Sequence, residues 1–171
     1  MRVFGVVGWK DAGKTGLMER LVSEITGRGF TVSTVKHAHH GFDVDQPGRD
    51  SYRHRDAGAS EVLIASPRRV ALMQELRGTP EPALSDLLPR LSPVDLVLIE
   101  GYKREGHAKV EAHRAGTGNP LIATDDPTVK AVASDTDLTL DRPVFDLDDT
   151  AAIADFILQQ VRLPRRKDNA Q

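Results

Sequence analysis

Residues 8–15 read Gly8-Trp9-Lys10-Asp11-Ala12-Gly13-Lys14-Thr15 and match the pattern G-x-x-x-x-G-K-[ST] at every fixed position. The apolar run Arg2–Val7 precedes them and predicts a buried strand. From Lys14 to Arg28, apolar side chains recur at the spacing of one helix face. In this strand–loop–helix setting, the backbone N–H groups of the loop and the positive end of the helix dipole would surround phosphate oxygens. The motif therefore predicts a bound nucleotide, without specifying its base.

The side chains of this phosphate loop have separate predicted roles. Lys14 would reach the β- and γ-phosphates, and the Thr15 hydroxyl would bind the Mg²⁺ that bridges them. Lys10 stands one position beyond the place where some dimeric nucleotidases carry an extra lysine that reaches the partner's nucleotide. We therefore expect it to be solvated or to contact a partner. The predicted nucleotide-binding set of this segment is Gly8, Lys10, Asp11, Ala12, Gly13, Lys14, Thr15 and Gly16.

The rest of the chain alternates between strand and helix patterns. The first strand–helix–strand unit predicts parallel strands, whereas the turn Ser66-Pro67-Arg68 between two strand patterns predicts an antiparallel hairpin. We predict an α/β fold of the phosphate-loop (P-loop) class, with a mostly parallel sheet flanked by helices. One domain would span residues 1–161, and residues 162–171 would form a frayed tail. Further strands are predicted at 30–35, 60–66, 69–76, 94–99, 109–113, 120–124 and 144–146, and helices at 50–57, 84–91 and 149–161.

Composition narrows the class of protein. The chain has 171 residues, 23 basic and 25 acidic, and no cysteine. Without cysteine, a disulfide framework and thiolate metal sites are excluded. The net charge of −2 does not fit the basic footprint of a nucleic-acid-binding protein, and no apolar run reaches the ~18 residues of a membrane span. We therefore expect a cytoplasmic protein that binds neither nucleic acid nor membrane.

The most apolar stretch, residues 94–99, ends at an acid, Glu100. Ligands of parallel α/β sheets lie beyond the carboxyl ends of the strands, so Glu100 is predicted to hold Mg²⁺ directly or through water. A helix-capping or loop role for Glu100 is the alternative. Asp95 lies at the other end of the stretch and is predicted to be a cap or a surface residue. Glu100 and Lys14 form the predicted catalytic pair.

A polar loop, residues 36–51, follows the second predicted strand and carries three of the six histidines, His37, His39 and His40. Imidazole and carboxylate suit Ni²⁺ or Zn²⁺. A transition-metal site is therefore one hypothesis, and solvated or phosphate-contacting histidines are the other. The loop also contains candidates for the Mg²⁺ shell, which spacing alone does not rank: Asp43, Asp45 and Asp50. The predicted metal set comprises Thr15, Glu100 and Asp43.

Two further segments are candidates for ligand contacts. Lys103 and Arg104 follow the acidic strand end and would either clamp an anion or form a solvated charged loop. Asp125 follows the strand predicted at 120–124 and would accept hydrogen bonds from guanine N1–H and its exocyclic amine, a pair that adenine does not offer. Helix capping by Asp125 or Asp126 ahead of Pro127 is the alternative interpretation.

These segments, taken in order, resemble the molybdopterin-guanine dinucleotide biosynthesis protein B (MobB) family. The resemblance runs from Met1 to about Val161 and is carried by residues 8–15, 36–51 and 95–103. Many nucleotidases share the first segment, whereas the other two are much more specific. Gly16 departs from the family, which often has a second threonine there.

The resemblance implies a GTP-binding adaptor with Mg²⁺ and at most weak GTPase activity. It also implies a homodimer that assists a partner guanylyltransferase in joining GMP to molybdopterin. Molybdopterin itself and an apo-molybdoenzyme are further candidate partners. Two other functions stay open: a metal-insertion GTPase, and a small-molecule kinase with Asp43 or Asp45 as its base. No glutamine stands in an obvious position to orient water, and Gln46 is the only glutamine of the 36–51 loop. An arginine finger would be Arg49, Arg53 or an arginine of a partner, so we expect slow intrinsic turnover.

Overall fold

The computed structural model describes residues 1–38 and 41–163. His39, His40 and residues 164–171 lie outside the described residues, and with them part of the predicted histidine site and most of the predicted tail. The chain forms two compact units, one of residues 1–37 and 93–171 and one of residues 38–92. The single domain predicted over residues 1–161 stays a prediction.

The first unit contains a six-stranded sheet in which every neighbouring pair is parallel. The strand order is β2-β5-β1-β6-β7-β8, so the strand that leads into the phosphate loop lies inside the sheet. The strands of the chain are β1 (Arg2–Val7), β2 (Val32–Lys36), β3 (Glu61–Ala65), β4 (Val70–Gln74), β5 (Leu96–Glu100), β6 (Lys109–His113), β7 (Val129–Ser134) and β8 (Val144–Asp146). The α-helices are α1 (Lys14–Gly27), α2 (Asp50–Asp56), α3 (Leu84–Leu87) and α4 (Thr150–Gln160).

One face of this sheet packs against α1 and α4. Alternate residues of β1, such as Phe4 and Val6, lie on that face with no exposed surface. The apolar stripe of α1 covers them, as the helical spacing from residue 14 predicted. Each large apolar side chain that is fully buried stabilises the fold by roughly 1.5–3 kcal/mol. The core residues shared by these elements include Phe4, Val6, Leu17, Leu21, Ile25, Leu98, Ile153 and Ile157.

The strand predicted at 120–124 is wrong. Ile122–Thr124 form a 3₁₀ turn, and the strand that enters the sheet is β7. The N–H groups of Ile122 and Ala123 donate to the two carboxylate oxygens of buried Glu111, at 2.9 and 2.8 Å. This segment is apolar because it packs over Val7 and β7, not because it pairs with a strand.

The helix predicted over 84–91 is shorter than expected. One α-helical turn, α3, continues as a 3₁₀ turn over Leu88–Arg90. Pro89 lies in that turn and lacks the N–H that an α-helix would use. Within the described residues, no helix has the length and apolarity needed to cross a membrane.

The second unit contains the predicted hairpin. β3 and β4 pair antiparallel, with Leu63 opposite Leu72. Residue 66 closes the turn, because the Ser66 N–H donates to the Arg69 carbonyl at 2.8 Å. The helix predicted at 50–57 is present as α2.

Candidate functional site

The phosphate loop leaves the sheet between β5 and β6, the two neighbours of β1. β1 ends at Val7 and α1 begins at Lys14, so residues 8–13 lie at the carboxyl edge of the parallel strands. This is the edge at which ligands of such sheets bind. The fold therefore places the loop where the sequence predicted it.

Two glycines make the path of the loop possible. Gly8 has φ +151°, and a Cβ there would lie 2.5 Å from the carbonyl oxygen of Ala112. Gly13 has φ +89° and is the N-cap of α1. A Cβ on Gly13 would approach Nε of Arg114 to 3.1 Å and Cδ2 of Leu147 to 3.3 Å. A larger residue at either position would strain the backbone. It would also press against the Ala112 carbonyl at Gly8, or against the side chains of Arg114 and Leu147 at Gly13.

The ammonium of Lys14 lies within the loop. Its Nζ donates to the carbonyl oxygen of Trp9 at 2.6 Å. Burial lowers the pKa of Lys14, and the Glu100 carboxylate opposes that shift. A partly desolvated cation gains more from a phosphate oxygen than an exposed lysine would. The geometry therefore suits the phosphate contact predicted for Lys14.

Thr15 and Glu100 come together at the end of β5. The Thr15 hydroxyl donates to Oε1 of Glu100 at 3.3 Å, and Nζ of Lys36 lies 3.4 Å from the same oxygen. Glu100 is 9% exposed. A hydroxyl and a carboxylate supply the hard oxygen donors that Mg²⁺ prefers, so the side chains present fit that ion. Thr15 and Glu100 would hold it.

Asp43, the third residue of the predicted metal set, belongs to the second unit. Both of its carboxylate oxygens accept from the Arg55 guanidinium at 2.9 Å. The backbone N–H of Asp45, together with Arg55, lowers the pKa of Asp43. Arg55 also donates to Glu75 at 2.8 Å. In this structure Asp43 ties its loop to the helix and the hairpin of the second unit, and its metal role stays a prediction.

Asp125 lies after the 3₁₀ turn and before β7, in an exposed position. Its neighbour Asp126 carries a structural role, since its carboxylate lies 3.6 Å from Nζ of the fully buried Lys109. The premise for guanine recognition by Asp125 was an aspartate that directly follows a strand. The residue that follows β7 is Asp135 instead. A base contact from Asp125 remains a prediction without that premise.

The structure adds Arg114, which the sequence reasoning missed. Arg114 directly follows β6, and its guanidinium lies beside Gly13. Such a position could be found from the sequence, because a basic residue immediately after a parallel strand lies at the ligand-binding edge. Once β6 is placed next to β1, Arg114 must lie near the phosphate loop.

Lys103 also lies against the loop, whereas Arg104 is exposed. Nζ of Lys103 lies 3.9 Å from the centroid of the Trp9 ring, a cation–π contact. Burial lowers the pKa of Lys103. The indole Nε1–H of Trp9 donates to the carbonyl of Pro120 at 2.7 Å, which fixes the ring. Lys103 therefore contributes positive charge beside the phosphate loop.

The described residues contain no group of three or more His, Asp or Glu side chains arranged to hold a metal ion. His37 is described, but His39 and His40 are not. The three-histidine metal hypothesis therefore falls partly outside the described residues and stays a prediction.

The chain is similar in sequence and in structure to known proteins. A family model described as molybdopterin guanine dinucleotide synthesis protein B matches residues 3–135. The molybdopterin-guanine dinucleotide biosynthesis adapter protein of Escherichia coli is 42% identical over 154 residues, covering 88% of each chain. The adapter protein of the same description from Haemophilus influenzae is 40% identical over 158 residues, covering 91% of this chain and 86% of the relative.

Solved structures agree with the sequence relatives. A crystal structure of a MobB protein homolog from Bacillus stearothermophilus superimposes with a TM-score of 0.71 at 30% identity, covering 96% of this chain and 100% of the other. Bacillus subtilis MobB superimposes with a TM-score of 0.74 at 25% identity, covering 94% and 98%. The fold of the chain is therefore the fold of these proteins.

Proposed function

Because the chain belongs to the molybdopterin guanine dinucleotide synthesis protein B family, we propose that it is a GTP-binding adapter of molybdopterin-guanine dinucleotide biosynthesis. Its partner is the guanylyltransferase that joins GMP to molybdopterin. GTP binding is supported chiefly by the phosphate loop. Its Lys14 ammonium donates to the Trp9 carbonyl, and its Thr15 hydroxyl lies 3.3 Å from Oε1 of Glu100. The adapter part rests on relatives of that description which match most of their length.

In this proposal, some residues of the site bind the phosphates and others bind the metal ion. The N–H groups at the start of α1 and the Lys14 ammonium bind phosphate oxygens. Thr15 and Glu100 hold Mg²⁺, which when bound neutralises phosphate charge. These groups bind the nucleotide and neutralise its phosphate charge, and an adapter needs no more than that. We therefore propose that the chain hydrolyses GTP only weakly.

Calorimetry on the full chain tests the nucleotide part. GTP should bind more tightly than ATP in the presence of Mg²⁺, and Lys14→Ala should lose that binding. Lys130→Ala is the matched control, because Lys130 is exposed on β7 and its Nζ donates only to a nearby backbone carbonyl among the described contacts. Preference for ATP would contradict the proposal.

Reconstitution tests the adapter part. The full chain, added with GTP and Mg²⁺ to a purified guanylyltransferase and molybdopterin, should increase the yield of the guanine dinucleotide. Lys14→Ala should not. An unchanged yield with the wild-type chain would contradict the adapter role, even if GTP binds.

A homodimer formed through the hairpin completes the proposal. β3 and β4 form an isolated two-stranded sheet, and such a sheet is marginally stable on its own. Three large apolar side chains lie on one face of the hairpin and are exposed, and a second copy of the same surface would bury them. They are Leu63 (65% exposed), Val70 (65%) and Leu72 (56%).

Sedimentation velocity tests the dimer. The double variant Leu63→Glu/Leu72→Glu should shift the wild-type dimer to a monomer, because it places charges on the exposed apolar face that a second copy would bury. Arg68→Glu, in the exposed turn, is the control and should stay dimeric. A monomeric wild-type chain would contradict this part alone. A cytoplasmic location, which the lack of cysteine fits, also belongs to the proposal.

A further inference from the structure

We propose that Lys103 binds the γ-phosphate of GTP, and that its ammonium lies on the Trp9 ring until that phosphate arrives. This inference rests on the proposed binding of GTP at the phosphate loop, and it names a residue by which the site distinguishes GTP from GDP. The residues concerned lie entirely in the first unit. Three observations support it: the turn that carries Lys103, the contacts of its ammonium and the charges around it.

A strained turn brings Lys103 to the phosphate loop. Tyr102, the second residue after β5, has a φ angle of +50°, which is unfavourable for a residue other than glycine. Two backbone hydrogen bonds hold the turn: the N–H of Gly101 donates to the carbonyl of Val6 at 3.0 Å, and the N–H of Glu105 donates to the carbonyl of Tyr102 at 3.1 Å. Backbone strain of this kind is concentrated at ligand-binding and switch segments. The chain therefore adopts an unfavourable conformation where it directs Lys103 toward the loop.

The ammonium of Lys103 contacts an aromatic ring instead of an anion. Its Nζ lies 3.9 Å from the centroid of the Trp9 ring, and the described residues provide it with no hydrogen-bond acceptor and no ion pair. The face of a ring attracts a cation less strongly than a phosphate oxygen does, because the ring carries no net charge. Lys103 therefore gains by moving from the ring to a phosphate.

Trp9 connects Lys103 with Lys14, the lysine of the phosphate-binding motif. The Trp9 ring contacts Lys103, and the Trp9 carbonyl accepts a hydrogen bond from Nζ of Lys14 at 2.6 Å. The indole Nε1–H donates to the carbonyl of Pro120 at 2.7 Å, which fixes the ring. The two ammonium groups therefore lie around one residue of the loop, where neighbouring phosphate oxygens can contact both.

The charges around Lys103 favour an additional anionic group. Burial lowers the pKa of Lys103, and the Glu111 carboxylate opposes that shift. Burial also lowers the pKa of Lys14; Glu100 opposes this shift, and the positive charge of Lys103 adds to it. Two partly desolvated cations that repel each other are stabilised by an anion between them. GTP supplies more of that negative charge than GDP, because it carries one phosphate more.

The position of Lys103 after β5 indicates which phosphate it binds. Glu100 ends β5 and is the proposed ligand of Mg²⁺, which in such sites bridges the β- and γ-phosphates. β5 and β6 lie on opposite sides of β1. Arg114 follows β6 and lies beside Gly13, whereas Lys103 follows the strand that carries the metal ligand. We therefore assign the γ-phosphate to Lys103.

The substitution Lys103→Met tests this assignment by calorimetry with Mg²⁺. Methionine keeps an unbranched side chain that can pack on the Trp9 ring, but it carries no charge. We expect the affinity for GTP to fall by about tenfold or more, because a charge-assisted hydrogen bond is lost, and the affinity for GDP to change little. Equal losses for the two nucleotides, or no loss for either, would overturn the assignment.

Two other lysines make the result specific. Lys130→Met is the matched control, because Lys130 is exposed on β7 and its Nζ donates to the carbonyl of Pro127 at 2.8 Å. It should keep the wild-type affinities, and a selective loss of GTP binding in this variant as well would assign the effect to net charge. Lys14→Ala should weaken the binding of both nucleotides, since the motif lysine reaches the β-phosphate that both carry.

Fluorescence follows the movement of Lys103 in the wild-type chain, because Trp9 is the only tryptophan. A positive charge over an indole ring shifts its emission, so the departure of the ammonium should change the spectrum more when GTP binds than when GDP binds. In Lys103→Met the two nucleotides should give equal changes. If the wild-type chain binds both nucleotides and its emission responds to them identically, the movement of Lys103 is contradicted, whether or not the variant folds.

The outcomes separate this inference from the proposed function. If the wild-type chain binds GTP but folded Lys103→Met keeps the wild-type ratio of GTP to GDP affinity, only this inference falls. If the wild-type chain binds no guanine nucleotide, the proposed function falls with it.

Discussion

The hydroxyl of Thr15 donates to Oε1 of Glu100 across 3.3 Å, which joins the first turn of α1 to the end of β5. The two residues are far apart in the chain, and the parallel pairing of β1 with β5 places them together, with Glu100 beside Val6. A helix start and a strand end thus converge on one point. Their oxygen atoms are the pair that we propose for Mg²⁺.

Glu100→Gln should reduce the contribution of Mg²⁺ to GTP binding. Glutamine keeps the size of the side chain and one acceptor oxygen but removes the negative charge that a hard cation requires. We expect the gain in GTP affinity on adding Mg²⁺ to shrink by about tenfold or more. Calorimetry with Mg²⁺ and with EDTA measures it. Glu19→Gln, exposed on α1, is the control, and an equal Mg²⁺ effect in both variants would argue against the pair.

Binding of GTP should weaken at alkaline pH because of Lys14. Burial lowers the pKa of Lys14 below its ordinary value of 10.5, so its ammonium loses a proton at a lower pH than an exposed lysine does. The charged form binds phosphate, and the affinity should therefore fall as the pH rises through this lowered pKa, with proton uptake on binding. Calorimetry in buffers of different ionisation enthalpy reports that uptake.

Lys14→Ala separates this effect from the titration of other groups. The variant should bind GTP more weakly at every pH and show no corresponding alkaline fall. Parallel pH profiles for the variant and the wild-type chain would show that another group is responsible.

The phosphate loop and the acidic strand end were predictable because both follow from local rules. A fixed pattern of glycines, lysine and threonine marks the loop, and an apolar run that ends in an acid marks β5 and Glu100. The ends of parallel strands meet at one edge. The sequence therefore indicated that Thr15 and Glu100 would share a site, and the structure places them in contact.

The part of the sheet edge near β6 and β7 was not predicted from the sequence, because a buried contact between distant residues determines its structure. Glu111 accepts hydrogen bonds from the backbone N–H groups of Ile122 and Ala123. The apolar segment therefore forms a 3₁₀ turn, and the next strand begins only at Val129. The sequence shows only an apolar run of strand-like length. Because β7 was not predicted, Asp135 was not recognised as the residue that follows it. The position of Arg114 beside Gly13 was missed as well.

Glu111→Ala should destabilise the first unit. Glu111 has no exposed surface and accepts two backbone N–H groups. Removal of the carboxylate leaves both donors buried without an acceptor, at a cost of about 1–3 kcal/mol each. The free energy of unfolding in urea measures the loss. Glu19→Ala should change it little, and an equally small change in Glu111→Ala would contradict the role of this carboxylate.

Glu111 should also make stability depend on pH. Burial raises the pKa of Glu111 above 4.5, so the folded state favours the protonated form more than the unfolded state does. Its contribution is fully present below about pH 4.5 and is lost as the pH rises through the raised pKa. Glu111→Gln cannot titrate and should lack this decline in the free energy of unfolding. Identical pH profiles for the two chains would assign the decline to another group.

Arg114→Ala should weaken GTP binding without unfolding the chain. The guanidinium lies beside Gly13, at the start of α1 where phosphate is proposed to bind, and Arg114 is exposed to solvent. Loss of one guanidinium near phosphate should reduce the affinity by about tenfold, since charge-assisted hydrogen bonds contribute roughly 1.5–3 kcal/mol. Calorimetry at two salt concentrations measures both the affinity and its screening.

Arg114→Lys distinguishes charge from shape at this position. Lysine keeps the positive charge but lacks the planar, multiply donating guanidinium. Its affinity for GTP should lie between those of the wild-type chain and the alanine variant, with the salt dependence of the wild type. Arg68→Ala, in the exposed hairpin turn, is the control for general loss of positive charge. Wild-type affinity in Arg114→Ala would mean that Arg114 only packs against Gly13.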